Sequence, residues 1–420
     1  MVGGPQSEAL WVRQRGGIDF LSRGMTVLHY TGYTREEGGI VTVIRSLAAA
    51  GRFAVVHGVS PGAEGVSEAA GLVQWVGPAI TGEAINLRNY WRARAVAKAV
   101  QAWLREEPGR VFHGHSRAGL LVALWLNRFG EKRVVASVHC YGRQRWFYRW
   151  AASVLGDRLY WLTPAMRQYY GVARIGWAQC LAGGVDVTDV PLRAGPPPAG
   201  RLRLGGAGFL VPWKRWDLVI EALALLPAGA RGQVTFEHIG GTPEGKSAKH
   251  GAFLRELTAR HGLDGSVRWC GPEPTSRRLL QEIDALVVPS HQEPYSMILQ
   301  EALAAGLPVL AADSGGPADV VMPEVNGAFF PDGDAEALAE LIVTWWRQYP
   351  AFAPEAIRST ARRADEVAAR WEEIYAQLLA REPAERGGDG SEMALDRVVR
   401  EEPGPQPAVR RRQRGDPREG

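Results

Sequence analysis

The sequence predicts two doubly wound α/β lobes in tandem. Short runs rich in Val, Ile and Leu alternate with helix-length segments, this alternation occurs in two series, and Ala194-Gly-Pro-Pro-Pro-Ala-Gly200 separates them. Strand-length apolar runs between helices are the pattern of parallel sheets covered on both faces. In the first series strands are expected at 27–30, 53–58, 72–75, 111–113, 134–139, 159–163 and 178–181, and in the second at 202–208, 234–240, 267–270, 285–289 and 309–312. The proline run can continue neither a helix nor a central strand and is expected to be a stiff linker. The expected organisation is an irregular segment 1–24, a first lobe 25–193, a linker 194–200, a second lobe 201–350, terminal helices 351–381 and a disordered tail 382–420. The tail, rich in Gly, Pro, Glu and Arg, cannot bury enough apolar surface to fold. Residues 1–24 carry no clear period, while Met25-Thr-Val-Leu-His-Tyr opens directly into a strand, so Met25 is a candidate native start beside Met1.

Composition narrows the function classes. A chain of 420 residues has room for two or three domains. The net charge of +4 is small, and basic residues are interspersed with acidic ones, so no nucleic-acid partner is expected. Lysine occurs only at Lys98, Lys132, Lys214, Lys246 and Lys249, which makes each position informative. Cys140, Cys180 and Cys270 are isolated and odd in number, giving neither a disulfide framework nor zinc spacing; a cytoplasmic location is expected. The apolar stretch 118–126 is far short of the roughly 20 residues that span a bilayer. The first residues also lack the apolar core of a signal peptide.

One segment carries the chemistry: Pro289-Ser-His-Gln-Glu293-Pro-Tyr-Ser-Met-Ile-Leu-Gln-Glu301-Ala-Leu-Ala-Ala-Gly-Leu-Pro-Val-Leu-Ala-Ala-Asp313-Ser-Gly-Gly316. A buried strand ends at Pro289, a loop holds Glu293, and a helix starts near Ser296 and stops at Gly306 with Pro308 beyond. Such a loop lies at the carboxyl end of a parallel strand, where open α/β sheets bind ligands. The free amides of Ser296, Met297 and Ile298 at the helix start suit a diphosphate or a sugar hydroxyl. Glu301, one turn further, is placed to chelate a vicinal diol. Glu293 can accept from sugar hydroxyls or stabilise positive charge developing at an anomeric carbon.

This string resembles the E-x7-E signature of the large retaining glycosyltransferase family often called GT4, built on the two-lobed GT-B fold, and the resemblance covers most of residues 25–380. Gly208-Phe-Leu-Val-Pro-Trp-Lys214-Arg-Trp-Asp-Leu-Val-Ile-Glu-Ala-Leu resembles the family's G-R-L-x-x-x-K-G stretch, which implies that Lys214 holds the donor diphosphate. Gly38 and Gly39 resemble the glycine loop that approaches the phosphates from the first lobe, where a side chain would block close contact. His113-Gly-His115-Ser and Ala136-Ser-Val-His139 resemble paired strand ends, and His139 matches the histidine that contacts the transferred sugar. Asn326-Gly327 followed by Asp332-Gly-Asp matches the loop after the donor site. The resemblance implies a donor site in the interlobe cleft, an acceptor lobe over 25–193, a nucleotide-sugar lobe over 201–350, and terminal helices packing back across both. It further implies His139, Glu293 and Lys214 as catalytic residues, and no metal or other cofactor.

The chain departs from the pattern at Phe209, where an arginine is usual, at Arg215, where a glycine follows the lysine, and at Ser296, another glycine position. Arg215 is the expected substitute for the missing cation; failing that, the chain is a weakened GT-B binding or partner subunit. Asp332-Gly-Asp334 is a formal metal motif that is expected to be a turn and helix cap. Gly114-His-Ser116-Arg-Ala118 imitates a hydrolase nucleophile elbow, giving an α/β-hydrolase as a further alternative. In the first lobe Tyr141-Gly-Arg143-Gln-Arg145-Trp146-Phe-Tyr-Arg149-Trp interleaves rings with arginines. That pattern suits a lipid-linked acceptor or peripheral contact at the inner face of the cell membrane, and equally a helix with rings in the core. Glycan and small-molecule acceptors remain open beside it.

Overall fold

The computed structural model describes residues 10–12, 24–32, 38–61, 73–80, 84–176, 178–188, 190–193, 195–242 and 248–381. The tail 382–420, and all of 1–24 except Leu10–Val12 and Gly24, lie outside the described residues. Within residues 1–382, which form one compact unit, two parallel sheets follow one another.

The first sheet contains β1 (Leu10–Val12), β2 (Thr26–Tyr30), β3 (Ala54–Val59), β4 (Val73–Val76), β5 (Arg110–Gly114), β6 (Val134–Val138), β7 (Leu159–Trp161) and β8 (Gln179–Cys180), in the order β1-β4-β3-β2-β5-β6-β7-β8. All neighbours are parallel except β1, which pairs antiparallel with β4. The helices are α1 (Gly39–Ala50), α2 (Leu87–Glu106), α3 (Arg117–Arg128), α4 (Arg145–Leu155) and α5 (Pro164–Tyr170). Their starts follow local capping rules: Asn86, Ser116 and Thr163 each accept a hydrogen bond from the amide three residues on. β3 and β6 are buried along their whole length, as a sheet covered on both faces requires.

The second sheet contains β9 (Leu202–Ala207), β10 (Val234–Ile239), β11 (Val267–Gly271), β12 (Ala285–Val288), β13 (Val309–Asp313) and β14 (Gly327–Pro331), all parallel, in the order β11-β10-β9-β12-β13-β14. Its helices are α6 (Trp216–Ala224), α7 (Ala248–Arg260), α8 (Arg277–Glu282), α9 (Met297–Ala304) and α10 (Ala335–Arg347). β14 replaces part of the loop expected after the donor segment: Gly-Ala-Phe-Phe-Pro is too short and too glycine- and proline-bounded to read as a strand alone, and it pairs through all five residues with β13.

The chain commits to the second lobe before the proline linker. Arg193 binds Asp284 at 2.6 Å and the Ile283 carbonyl at 2.6 Å, while Arg358 donates to the Val190 carbonyl. Two last helices follow, α11 (Pro354–Ser359), which packs on α9, and α12 (Ala364–Ala380), which returns to the first lobe. There Val367, Trp371 and Tyr375 join Val27, Ile44, Phe53 and Val111 in one apolar cluster. No helix among the described residues is long and apolar enough to cross a membrane.

Each sheet has its topological switch beside the first of its parallel strands: between β2 and β5 in the first lobe, between β9 and β12 in the second. Loops leaving the carboxyl ends of such strands are where this architecture binds ligands. Both sets face one cleft.

Candidate active site

The cleft has a volume of about 1680 Å³ and is lined by both lobes. On the second-lobe wall, Lys214 ends the 3-10 turn Pro212–Lys214 after β9, and Glu293 sits in the loop after β12. Lys214 Nζ lies 2.6 Å from Glu293 Oε2, both side chains are largely buried, and the Trp213 ring covers the ammonium at 4.5 Å. The Glu293 loop is clamped by Gly316, whose amide donates to the Glu293 carbonyl at 2.7 Å; a Cβ on Gly316 would come within 2.3 Å of the Pro294 carbonyl. Glu301, in the second turn of α9, accepts a short hydrogen bond from the Ser276 hydroxyl. Burial raises the pKa of its carboxyl.

Ser296 caps α9 at φ 72, and its hydroxyl is buried without a partner among the described residues. The first turn of α9 meets the first lobe directly. A Cβ at Gly39 would lie 3.9 Å from Met297 Cγ, and one at Gly183 3.1 Å from its sulfur. The amino ends of α1 and α9 therefore converge, and two sets of free amides point at one volume.

On the first-lobe wall, Gly38 (φ 97) starts α1 and faces Phe209 across the cleft, with 3.9 Å between a built Cβ and the ring. Beside it runs a chain of imidazoles. In-register pairing puts His57, His29 and His113 side by side on β3, β2 and β5. His29 Nδ1 binds His115 Nε2 at 2.8 Å, and His115 Nδ1 binds His139 Nε2 at 3.0 Å. Burial lowers all four titrations: His29 to about 3, His139 to about 4, and His113 and His115 well below the usual range, helped by their histidine neighbours. A neutral imidazole has one donor and one acceptor, so the chain runs in one direction only. His29 Nε2 is buried without a partner. An orphaned acceptor costs less than an orphaned N–H, which places each proton on Nδ1 and leaves the His139 Nδ1–H as a donor to the cleft. His29, His113 and His115 bring ring nitrogens within 4.8 Å of one another, yet both His113 nitrogens are taken, by Tyr375 at 2.7 Å and Ser137 at 2.8 Å. These rings are engaged by hydrogen bonds rather than free for an ion.

The cleft brings together Gly38, Gly39, His139, Lys214, Glu293, Ser296, Met297, Ile298 and Glu301. Arg215 does not join them. It takes φ 54 at the start of α6, its guanidinium turns to Asp217 at 3.3 Å, and it cannot replace the missing cation from there. Arg143, Arg145, Trp146 and Arg149 are exposed around α4, outside the cleft wall, with Arg145 over the Tyr169 ring. Ser116 is no nucleophile: its oxygen donates to the Thr31 carbonyl and accepts from the Gly119 amide as the cap of α3, which removes the hydrolase alternative. Asp334 caps α10 and Asp332 binds His291. Sequence reading missed Ser276, His29 and the stacking of Trp213 on Lys214. Only the histidines left a signal, since three strands carry one at matching positions.

Residues 198–363 match the family model for glycosyl transferases group 1, a stretch that includes the whole second-lobe wall. Over that stretch the chain is similar to the glycosyl transferases group 1 family. The chain is 31% identical over 208 residues to the D-inositol 3-phosphate glycosyltransferase of Thermobispora bispora, covering 45% of this chain and 48% of the relative. It is 35% identical over 130 residues to the enzyme of the same name from Jonesia denitrificans, covering 30% of each. The chain thus spans about half the length, or less, of these curated relatives. The fold is GT-B. HepE of Anabaena, in complex with UDP and glucose, superposes with a TM-score of 0.69 at 20% identity, over 84% of this chain and all of that one. Sucrose-phosphate synthase from Thermosynechococcus elongatus gives 0.67 at 18% identity, over 84% and 99%.

Proposed function

We propose that this chain is a retaining, metal-independent glycosyltransferase that moves a hexose-like sugar from a nucleoside diphosphate to an acceptor hydroxyl in cytoplasmic glycan or glycolipid assembly. The observation that carries this reading is the Lys214–Glu293 pair, buried at 2.6 Å beside the amino end of α9. An arriving diphosphate competes for the ammonium, and Glu293 is then released toward the sugar. Glu301, fixed by Ser276, is placed for the ribose diol, and the His139 Nδ1–H for a sugar hydroxyl. The C1–O bond to phosphate breaks as the acceptor oxygen bonds C1 on the same face; the acceptor proton passes to the departing phosphate oxygen. Lys214 and the α1 and α9 amides stabilise that leaving group. Metal independence is supported by the employment of Asp332 and Asp334 as a histidine partner and a helix cap. UDP in the HepE complexes favours a uridine donor.

A second reading, a GT-B subunit that binds nucleotide without turnover, is favoured by Phe209 in the cleft and by the outward turn of Arg215. A thermal-shift screen of UDP-, GDP- and ADP-sugars, followed by donor hydrolysis and transfer assays on the responding nucleotide, separates the two. A shift with turnover that is lost in Lys214→Ala supports the transferase. A shift without turnover supports the subunit, and the lack of any shift sinks both.

A further inference from the structure

The amino ends of α2 and α4 form a surface that the donor reading leaves unused. Gln144, capping α4, donates to the Ile85 carbonyl at 3.1 Å, which fastens the two helix starts together. Around this junction three large apolar side chains stand in solvent: Leu87 is 79% exposed, Trp91 61% and Trp146 64%. Trp91 rests on Tyr90 and Trp125, so its ring is held outward rather than folded away. Arg88, Arg94, Arg143, Arg145 and Arg149 are exposed among them, and none forms an ion pair among the described residues.

Charge is segregated along this face. No Asp or Glu occurs between residues 84 and 105 or between 132 and 156. The acids between these stretches, Glu106, Glu107 and Glu131, pair with Arg110 and Arg133. Glu106 closes the 20-residue α2, about 30 Å from Leu87. Exposed indoles and a leucine ringed by uncompensated arginines match the interface of an anionic bilayer: the rings enter the headgroup layer and the guanidinium groups meet phosphate. A nucleic-acid partner would use the arginines but gives no reason for Leu87 to stand exposed.

The surface also lies at the mouth of the cleft. α2 starts and β6 ends at the carboxyl edge of the first sheet, and Trp146 follows cleft-lining Tyr141 by five positions along the chain. We propose that this face docks the protein onto an anionic lipid bilayer, so that an acceptor hydroxyl at the membrane surface is presented to the cleft.

The test is cosedimentation of the full chain with phosphatidylcholine vesicles, with and without phosphatidylglycerol. Binding is expected to the anionic vesicles only, and to weaken with salt. The Arg88→Ser, Arg143→Ser, Arg145→Ser, Arg149→Ser combination is expected to lower affinity several hundredfold, at about fivefold per arginine. Leu87→Ala with Trp91→Ala and Trp146→Ala is expected to abolish the remainder. The basic run Arg410-Arg-Arg-Gln-Arg414 is the internal competitor; serine at its arginines is expected to change little. Absence of binding in the parent, binding of RNA in place of vesicles, full retention in the folded four-arginine combination, or loss on changing the tail each overturns the proposal. The nucleotide thermal shift, read in the same variants, is expected to stay at the parent value. Failure of the donor reading would appear there and leave the vesicle result standing.

Discussion

The first-lobe wall of the cleft presents glycine backbone and a run of neutral imidazoles, whereas the second-lobe wall presents an ion pair, a hydrogen-bonded carboxylate and a backbone held in left-handed turns. Among the described residues, the non-glycine positions with positive φ are Arg215, Gln292, Ser296 and Glu324, all in the second lobe. Three of them directly neighbour or belong to the proposed donor site. Strain of this kind persists only where the surroundings over-determine the backbone, and it gathers at binding sites. The first wall stores nothing comparable in its backbone; its cost lies in burying titratable rings uncharged. The two walls should therefore fail under different stresses.

Acid is the largest of these. His29, His113, His115 and His139 titrate below their unfolded value of about 6.5. Between the two values the unfolded chain binds the additional protons, so their stabilisation is complete above pH 6.5 and is lost as pH falls. At ~1.4 kcal/mol per pH unit for each ring, four approach ~5 kcal/mol per unit below pH 6, on the scale of a domain's whole stability. The second lobe has a single comparably lowered ring, His238, at about 3. Denaturant melts between pH 5 and 6.5 should report an uptake that rises toward five protons at the acid end, four from the first lobe and one from His238, and about one fewer in His115→Gln. Hydrogen exchange should show the first lobe opening first. An uptake of one proton, or earlier opening of the second lobe, breaks the comparison.

Breaking the ion pair comes next. In Glu293→Gln the ammonium of Lys214 keeps its place without its counter-charge, at about 2 kcal/mol; the usual cost is higher, but cleft water reaches this lysine. Turnover should fall by about 10²–10³ if Glu293 stabilises charge at the anomeric carbon. Affinity for the free nucleoside diphosphate should rise, because Lys214 no longer has to leave a carboxylate to meet phosphate. Calorimetric titration decides it: weaker nucleotide binding in Glu293→Gln would mean that the pair is structural and that the lysine does not serve the diphosphate.

The same contrast explains what sequence could reveal. The second wall was legible because Glu293 to Glu301 lie in one run, where helix-stop grammar and spacing speak directly, and because the stretch around Lys214 resembles the GT4 pattern. The first wall was legible only through the resemblance, at Gly38, Gly39, His139 and the strand end carrying His113 and His115. His29, His57 and His113 are separated by long stretches of chain and meet through strand register, which no local pattern encodes. Ser276 reaches Glu301 from a loop after β11, again a tertiary pairing. Arg215 failed for another reason. Its backbone was set by a turn that suits glycine, and once the residue is left-handed its side chain projects toward Asp217 and Gly333 rather than the donor. β14 was overlooked because Gly327 and Pro331 bound it, and only five partners on β13 make it a strand.

The smallest effect expected concerns those glycine positions. Ser296 holds φ 72 with a buried, unpartnered hydroxyl. Releasing the left-handed strain returns roughly 1–2 kcal/mol and removing the orphaned hydroxyl about 1, against roughly 0.5–1 kcal/mol of added unfolded-state entropy for glycine. Ser296→Gly should therefore stabilise the protein by roughly 1–2.5 kcal/mol, a rise of roughly 3–8 °C in Tm for a lobe of this size. What happens to donor affinity then sorts two explanations of why serine stands there. Unchanged affinity makes it a tolerated cost, carried by the clamp that Gly316 places on the loop. Lower affinity together with higher Tm makes the hydroxyl a donor ligand, left unpaired in the free protein because its partner arrives with the nucleotide-sugar. A fall in Tm would show that the backbone there is not strained, and would remove the second wall's half of the comparison.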